Sequence, residues 1–232
     1  MHSFPGRWIG GVALVLGPLL LLTGTLLRSP FDFFYPDQLD AMARHPGLLT
    51  AAYATFLAGH LVLAFAVLAV VSHIGRTRPV WALWSGILVL VGLFERTFHA
   101  GVDHAAQGLV RRHGPEFAER LVGESYQDLH LYSHLSLSIM VGWLVLAFAA
   151  WRSGVLGVVR SVALATMCLL PLGVLKGAEP WSVVGTVGLC VAFLPAGVRL
   201  LADGPRPTRR QALVTAVVVP VVGALAYIST LG

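Results

Sequence analysis

Apolar residues run through this chain in long stretches that are separated by short polar joints rich in glycine and proline. A helix that spans a membrane needs roughly 20 predominantly apolar residues, and each stretch is close to that length. The stretches predict helices at residues 8–27, 49–73, 80–104, 130–151, 156–175, 181–201 and 211–230. The pattern therefore predicts an all-α fold, a polytopic transmembrane bundle of seven helices that forms one domain over residues 1–232.

The composition supports a membrane environment and argues against a nucleic-acid partner. Hydrophobic residues make up 56% of the chain and charged residues 12%, whereas soluble domains carry about 25% charged residues. The mean hydropathy is +0.78. The net charge is +5, but the arginines are scattered through short loops and form no basic face. We therefore expect the lipid bilayer to be the partner of the surface, and no nucleic acid.

The basic residues of the loops predict the orientation in the membrane. Cytoplasmic loops carry an excess of Lys and Arg. If the seven helices alternate in direction, one side carries Arg7, Arg76, Arg78, Arg152, Arg160, Arg199, Arg206, Arg209 and Arg210. The other side carries Arg28, Arg44, Arg111, Arg112, Arg120 and Lys176. The larger group predicts an N-terminus inside and a C-terminus outside, in the plasma (inner) membrane.

An ionisable cluster lies at the end of the third apolar stretch. Glu95, His99 and Asp103 are four residues apart, so they share one face of a helix. His130 and His134 repeat this spacing at the start of the next stretch. Because neighbouring spans run antiparallel, we expect Asp103 to lie level with His130, and His99 level with His134. Ionisable groups inside a bilayer are costly and tend to mark functional sites.

These side chains predict a metal site. His99, His130 and His134 are the expected ligands, and Asp103 is a ligand or a base. Imidazole and carboxylate ligands suit a transition-metal ion, with zinc as the first choice and iron or copper as alternatives. Glu95 lies one turn deeper and is expected to be catalytic, as a general base on metal-bound water or as a partner that orients an imidazole.

Two further histidines are candidates for the same ion. His60 lies near the middle of the second stretch, on a third helix. His104 lies about 100° around the helix from Asp103 and would reach the ion only if the helix end unwinds. A structural polar network and a proton relay without a metal are alternative explanations of the cluster.

The combination of Glu95, His99 and Asp103 with His130 and His134 resembles the metal-binding pattern of the alkaline ceramidase type of seven-helix membrane hydrolases. The resemblance covers five residues on two predicted helices. That family has a serine where Glu95 stands and carries its HxxxH pair on the last helix. The resemblance implies zinc bound by three histidines, with a nearby aspartate that takes part in amide hydrolysis.

The expected function is a membrane-embedded, metal-dependent enzyme that acts on a lipophilic substrate at the extracytoplasmic side, by hydrolysis with metal-activated water. The alternatives are an iron- or copper-dependent oxidase or oxygenase, a small metal-ion or proton-coupled carrier, and a metal-free acid–base cyclase or isomerase. A carrier needs a polar route to the other side of the membrane. Residues 81–94, which lie below Glu95, carry no charge, and this disfavours transport.

Overall fold

The computed structural model describes residues 5–125, 131–203 and 209–229, and these ranges contain helices and turns but no strand. The α-helices are α1 (Arg7–Arg28), α2 (Tyr35–Arg44), α3 (Pro46–Ile74), α4 (Pro79–His113), α5 (Pro115–Ser125), α6 (Leu131–Arg152), α7 (Val158–Ala165), α8 (Pro180–Ala202) and α9 (Arg209–Ile228). A 3₁₀ helix, Thr166–Leu169, continues α7. The chain divides into two compact units, Met1–Leu201 and Ala202–Gly232, of which the first contains the candidate site.

Five of the described helices are long and apolar enough to cross a membrane, as expected of an integral membrane protein. They are α1, α3, α4, α6 from Ser133 onward, and α8. Two shorter apolar helices, Val158–Leu169 and Ala212–Ile228, correspond to the other two predicted spans. The membrane-spanning character predicted for the chain is thus confirmed for five helices. The count of seven and the orientation stay predictions.

Small residues allow the long helices to approach one another closely. A Cβ on Gly24 of α1 would lie 2.7 Å from the backbone nitrogen of Phe56 on α3. A Cβ on Gly142 of α6 would lie 2.9 Å from the backbone nitrogen of Val89 on α4. Lipid tails are as apolar as the helices, so close van der Waals packing at small residues drives helix association in membranes. Glycine at these positions therefore brings α1 against α3 and α4 against α6.

Contacts at the two ends of the bundle define the path of the chain. Arg7 donates a hydrogen bond of 3.2 Å to the carbonyl of Leu201, so α1 begins where α8 ends. At the opposite end, the N–H of Gly177 donates a 2.9 Å hydrogen bond to the carbonyl of Phe33, which lies in the loop that follows α1. The chain between α6 and α8 therefore runs from one end of the bundle to the other.

The prediction of a continuous helix over 156–175 is wrong. The 3₁₀ helix ends at Leu169, and the next ten residues, Leu170–Glu179, are not helical. We call Leu170–Glu179 the broken segment. Pro171 lacks the N–H that a helix would need, and Gly173 has a φ of 111°, which favours glycine. Hydropathy alone does not separate a buried non-helical segment from a helix.

The broken segment lies inside the protein. Leu170 and Leu175 are 4% and 0% exposed. Non-helical backbone at membrane depth is tolerated where it is buried in protein or lines a cavity, because lipid offers no hydrogen-bond partner for its N–H and C=O groups. The N–H and C=O groups of this backbone therefore need hydrogen-bond partners within the protein.

Candidate functional site

The predicted stripe on α4 faces the interior of the bundle. Glu95, His99 and Asp103 are 0%, 7% and 8% exposed. Arg96 is also buried, with 7% of its surface exposed. Buried charges are stable only with hydrogen-bond or ionic partners, so the contacts of each side chain indicate its role.

Three buried ionic side chains bind the backbone of the broken segment. Arg96 Nη2 donates to the carbonyl of Leu170 at 3.2 Å. The Asp103 carboxylate accepts from the N–H of Leu175 at 2.6 Å. At the end of α1, Arg28 Nη1 donates to the carbonyl of Lys176 at 2.9 Å. These bonds supply partners that lipid cannot supply, and Arg28, Arg96 and Asp103 therefore hold the broken segment in place.

Glu95 joins α4 to α6 and lies near His99. Ser136 Oγ of α6 donates a 2.8 Å hydrogen bond to Glu95 Oε1. His99 Nε2 lies 3.8 Å from the same oxygen. This distance is longer than a hydrogen bond, so the carboxylate and the imidazole are neighbours that are not directly bonded to each other.

The structure describes three of the other four predicted ligands. His104 and His134 are exposed, and His130 lies outside the described residues. His60 is buried, and its Nδ1 is 2.9 Å from the carbonyl of Phe56, so the N–H of the ring donates to that carbonyl. Within residues 5–125, 131–203 and 209–229, no three His, Cys, Asp or Glu side chains form a group that could hold a metal ion. The predicted metal site stays a prediction, and it depends on His130.

A small cavity lies between α1, α3, α4 and the broken segment. Its volume is about 30 Å³, and its lining includes Arg28, Arg96, Lys176, His99 and Phe56. None of the described residues that line it is acidic. The described lining of the cavity is therefore cationic. It includes His99, the histidine that lies beside Glu95.

The two arginines at this cavity have aromatic and carbonyl partners. The guanidinium carbon of Arg28 lies 3.9 Å from the ring centroid of Phe56 and 4.9 Å from that of Tyr53, distances typical of cation–π contacts. Arg28 Nε donates to the carbonyl of Gly24 at 3.3 Å. Arg96 Nε has no hydrogen-bond partner in the part of the chain that the structure describes.

Glu95 and Asp103 attract these arginines but form no direct ion pair with them in the described part of the chain. The charges of Glu95 and Asp103 both act on Arg96, and the charge of Asp103 also acts on Arg28. Among the described residues, no ion pair within 4.0 Å joins either arginine to an acid. Each guanidinium therefore keeps capacity for a further anionic partner.

A larger crevice opens between α3 and α4 on the outside of the bundle. Its volume is about 410 Å³, and it is lined by polar residues such as Tyr53, Asp103 and Gln107 and by apolar ones such as Leu57 and Leu61. Leu61 is 53% exposed, so the crevice opens on the outer surface of the helix bundle. Tyr53 and Asp103 border the crevice on one side and interact with Arg28 on the other.

The sequence predicted Glu95, His99 and Asp103 on one helix face, and all three are buried, but it did not predict the cationic residues beside them. Arg28 was expected in a loop, yet it is 5% exposed at the end of α1. Two sequence signals point to this part of the site. Arg96 is a single basic residue inside an apolar stretch, and Pro171, Gly173 and Gly177 interrupt another.

Comparison with models of protein families, with curated proteins and with solved structures gives no match.

Proposed function

We propose that this chain is a membrane-embedded hydrolase that acts on a lipophilic ester or amide at the extracytoplasmic side, with His99 as its general base. One observation carries the proposal. His99 lines a cavity together with Arg28 and Arg96, and the carboxylate of Glu95 lies 3.8 Å behind its imidazole. These positions support His99 as the base, Glu95 as the carboxylate beside it, and Arg28 and Arg96 as the cations for a developing oxyanion.

The chemistry follows the general logic of base-assisted hydrolysis. His99 takes a proton from a water molecule as the water oxygen attacks the carbonyl carbon, and it then gives the proton to the leaving alcohol or amine. Glu95 stabilises the imidazolium that forms between these steps. Arg28 and Arg96 stabilise the negative charge on the carbonyl oxygen, which is the larger contribution in many acyl-transfer enzymes.

A lipophilic substrate is supported by the surroundings of the site. The crevice between α3 and α4 has apolar walls at Leu57 and Leu61, and apolar walls bury hydrocarbon well. The site lies at the Arg28 end of the bundle, which the distribution of basic residues assigns to the extracytoplasmic side.

A metal ion is an alternative mechanism for the same function, in which His99 binds the ion and is not the general base. A transition-metal ion, zinc first, would be bound by His99 with His130 and His134, and it would lower the pKa of its bound water. Elemental analysis of the purified chain tests this directly. A metal that is present in the chain and lost in His134→Ala would support the ligand set. Oxidation by iron or copper, ion transport and metal-free cyclisation remain predictions from the sequence.

Lipid hydrolysis by the purified chain tests the proposed function. The full chain in nanodiscs is incubated with a total membrane lipid extract, and released fatty acids are measured by mass spectrometry. We expect His99→Gln and Glu95→Gln to reduce the release at least about 100-fold, the usual contribution of a general base. His113→Gln is the matched control, because His113 is exposed near the end of the same helix and should retain activity. Equal release from His99→Gln and from the unchanged chain would contradict the proposal.

A further inference from the structure

The cavity between Arg28 and Arg96 has room for a small polar group. Its volume of about 30 Å³ exceeds the roughly 10–15 Å³ that one water requires. Carboxylate and phosphate are the anionic groups that arginine binds through paired donors, and carboxylate is the smaller of the two. The cavity is also enclosed by the broken segment, whose Pro171 and Gly173 form part of its lining.

Arg96, which lines this cavity, has more N–H donors than the described residues satisfy. A guanidinium carries five N–H donors. Arg96 has one hydrogen bond, to Leu170, and its buried Nε has no partner in the described ranges. Leaving a buried donor without an acceptor costs free energy, more so for a charged group. An occupant with acceptor oxygens would remove this cost.

The charges at the cavity favour an anion over water alone. In the part of the chain that the structure describes, its lining contains Arg28, Arg96 and Lys176 and no acid. Glu95 and Asp103 attract Arg96, but each has a hydrogen bond directed elsewhere, to Ser136 and to the N–H of Leu175. Arginine binds carboxylates through two parallel N–H donors, a geometry that lysine cannot reproduce.

We infer that the cavity binds the carboxylate group of a lipophilic acid between Arg28 and Arg96. The acyl chain would extend towards the crevice between α3 and α4. Tyr53 lines that crevice and its ring packs against Arg28, so the Tyr53 side chain would have to rotate to join the two spaces. The inference rests on the proposed function only where it identifies this acid as the product of hydrolysis. Binding itself requires no turnover and can be measured separately.

Equilibrium binding to the full chain in nanodiscs tests the inference, with empty nanodiscs subtracted. The probes are dodecanoate, dodecanol, which has the chain without the charge, and acetate, which has the charge without the chain. We expect dodecanoate to bind at least about tenfold more tightly than either of the others, as charge-assisted hydrogen bonds imply. Equal affinity for dodecanol or for acetate would overturn the inference.

Variants locate the site. Arg96→Gln retains a donor for the carbonyl of Leu170 and should weaken dodecanoate binding about tenfold. Arg44→Gln is the matched control, because Arg44 is exposed and bonds only within its own helix; its affinity should be unchanged. Unchanged affinity in a folded Arg96→Gln variant would also overturn the inference. If that variant does not fold, the comparison of the three probes on the unchanged chain decides.

The outcomes separate this inference from the proposed function. Selective dodecanoate binding without lipid hydrolysis would support the carboxylate site and contradict the hydrolase. Hydrolysis that depends on His99, without selective binding of dodecanoate, would support the hydrolase and overturn the carboxylate site.

Discussion

Asp103 accepts a 2.6 Å hydrogen bond from the backbone N–H of Leu175, 72 positions further along the chain. The bond ties the middle of α4 to the broken segment. An unsatisfied N–H at this depth has no water or lipid acceptor, so the carboxylate fills a structural need. Asp103 is thus part of the framework of the site, in addition to any role in chemistry.

Two substitutions of Asp103 separate these roles. Asp103→Leu removes the acceptor, and we expect the free energy of unfolding to fall by about 1–3 kcal/mol, the cost of a buried unsatisfied donor. Asp103→Asn keeps an acceptor oxygen and should be affected less. Thermal unfolding of the purified chain measures both effects, and Asp40→Leu, at an exposed position of α2, is the control. Equal stability of Asp103→Leu and Asp40→Leu would contradict a structural role.

The same pair of variants examines the predicted catalytic role. If Asp103 is a base or a metal ligand, Asp103→Asn should lose lipid hydrolysis while it retains its melting temperature. If it acts only by holding the broken segment, the asparagine variant should keep most of the activity.

The close contact at Gly177 gives a second prediction. A Cβ on Gly177 would lie 2.7 Å from Gln38 Nε2 and 2.9 Å from the carbonyl oxygen of Asp32. Gly177→Ala should therefore displace the broken segment from the loop after α1 and lower the free energy of unfolding by about 1–3 kcal/mol, as overpacking does. Gly101→Ala is the control, because a Cβ there meets nothing within 4 Å. Similar melting temperatures for both variants would show that the contact is not tight.

Most of the long helices follow from hydropathy because a stretch of about 20 apolar residues has few alternatives to a helix in lipid. The predicted stretch 49–73 corresponds to Pro46–Ile74, and 181–201 corresponds to Pro180–Ala202. The prediction of a helix over 156–175 is wrong for a physical reason. Its second half is as apolar as a helix but satisfies its backbone through Arg28, Arg96 and Asp103, which come from two other helices.

The candidate site was predictable in part. Spacing placed Glu95 and His99 on one face, because helical periodicity is local. It did not reveal the cavity, which forms where Arg28 from α1 meets Arg96 from α4. Contacts between distant parts of the chain leave no periodic signal in the sequence. The partner of each buried charge therefore required the tertiary structure.

The orientation predicted from the loops can be tested by labelling. Cys168 and Cys190 are first replaced by alanine, and single cysteines are introduced as Ser29→Cys, at the Arg28 end, and Ser153→Cys, after α6. The excess of basic residues near Ser153 predicts that this end is cytoplasmic. A membrane-impermeant maleimide should label Ser29→Cys in intact cells and Ser153→Cys only after permeabilisation. The reverse pattern would show that the predicted orientation is wrong.

The bond between Ser136 and Glu95 leads to a prediction about activity. Ser136 Oγ donates to Glu95 Oε1 at 2.8 Å, and this oxygen is also the one nearest to His99. Ser136→Ala removes one donor from a fully buried carboxylate, so Glu95 should be held less firmly behind the imidazole. We expect lipid hydrolysis to fall about tenfold, in line with a charge-assisted hydrogen bond of about 1.5–3 kcal/mol.

Ser138→Ala is the matched control for this effect. Ser138 lies two residues further along α6, and its buried Oγ has no hydrogen-bond partner within the described ranges. Its loss should leave both hydrolysis and the melting temperature unchanged. A Ser136→Ala variant with full activity and a lowered melting temperature would mean that the hydroxyl only joins α4 to α6. A selective loss of activity in Ser136→Ala would instead support Glu95 as the residue that positions His99, because Ser138 lacks the contact to the acid.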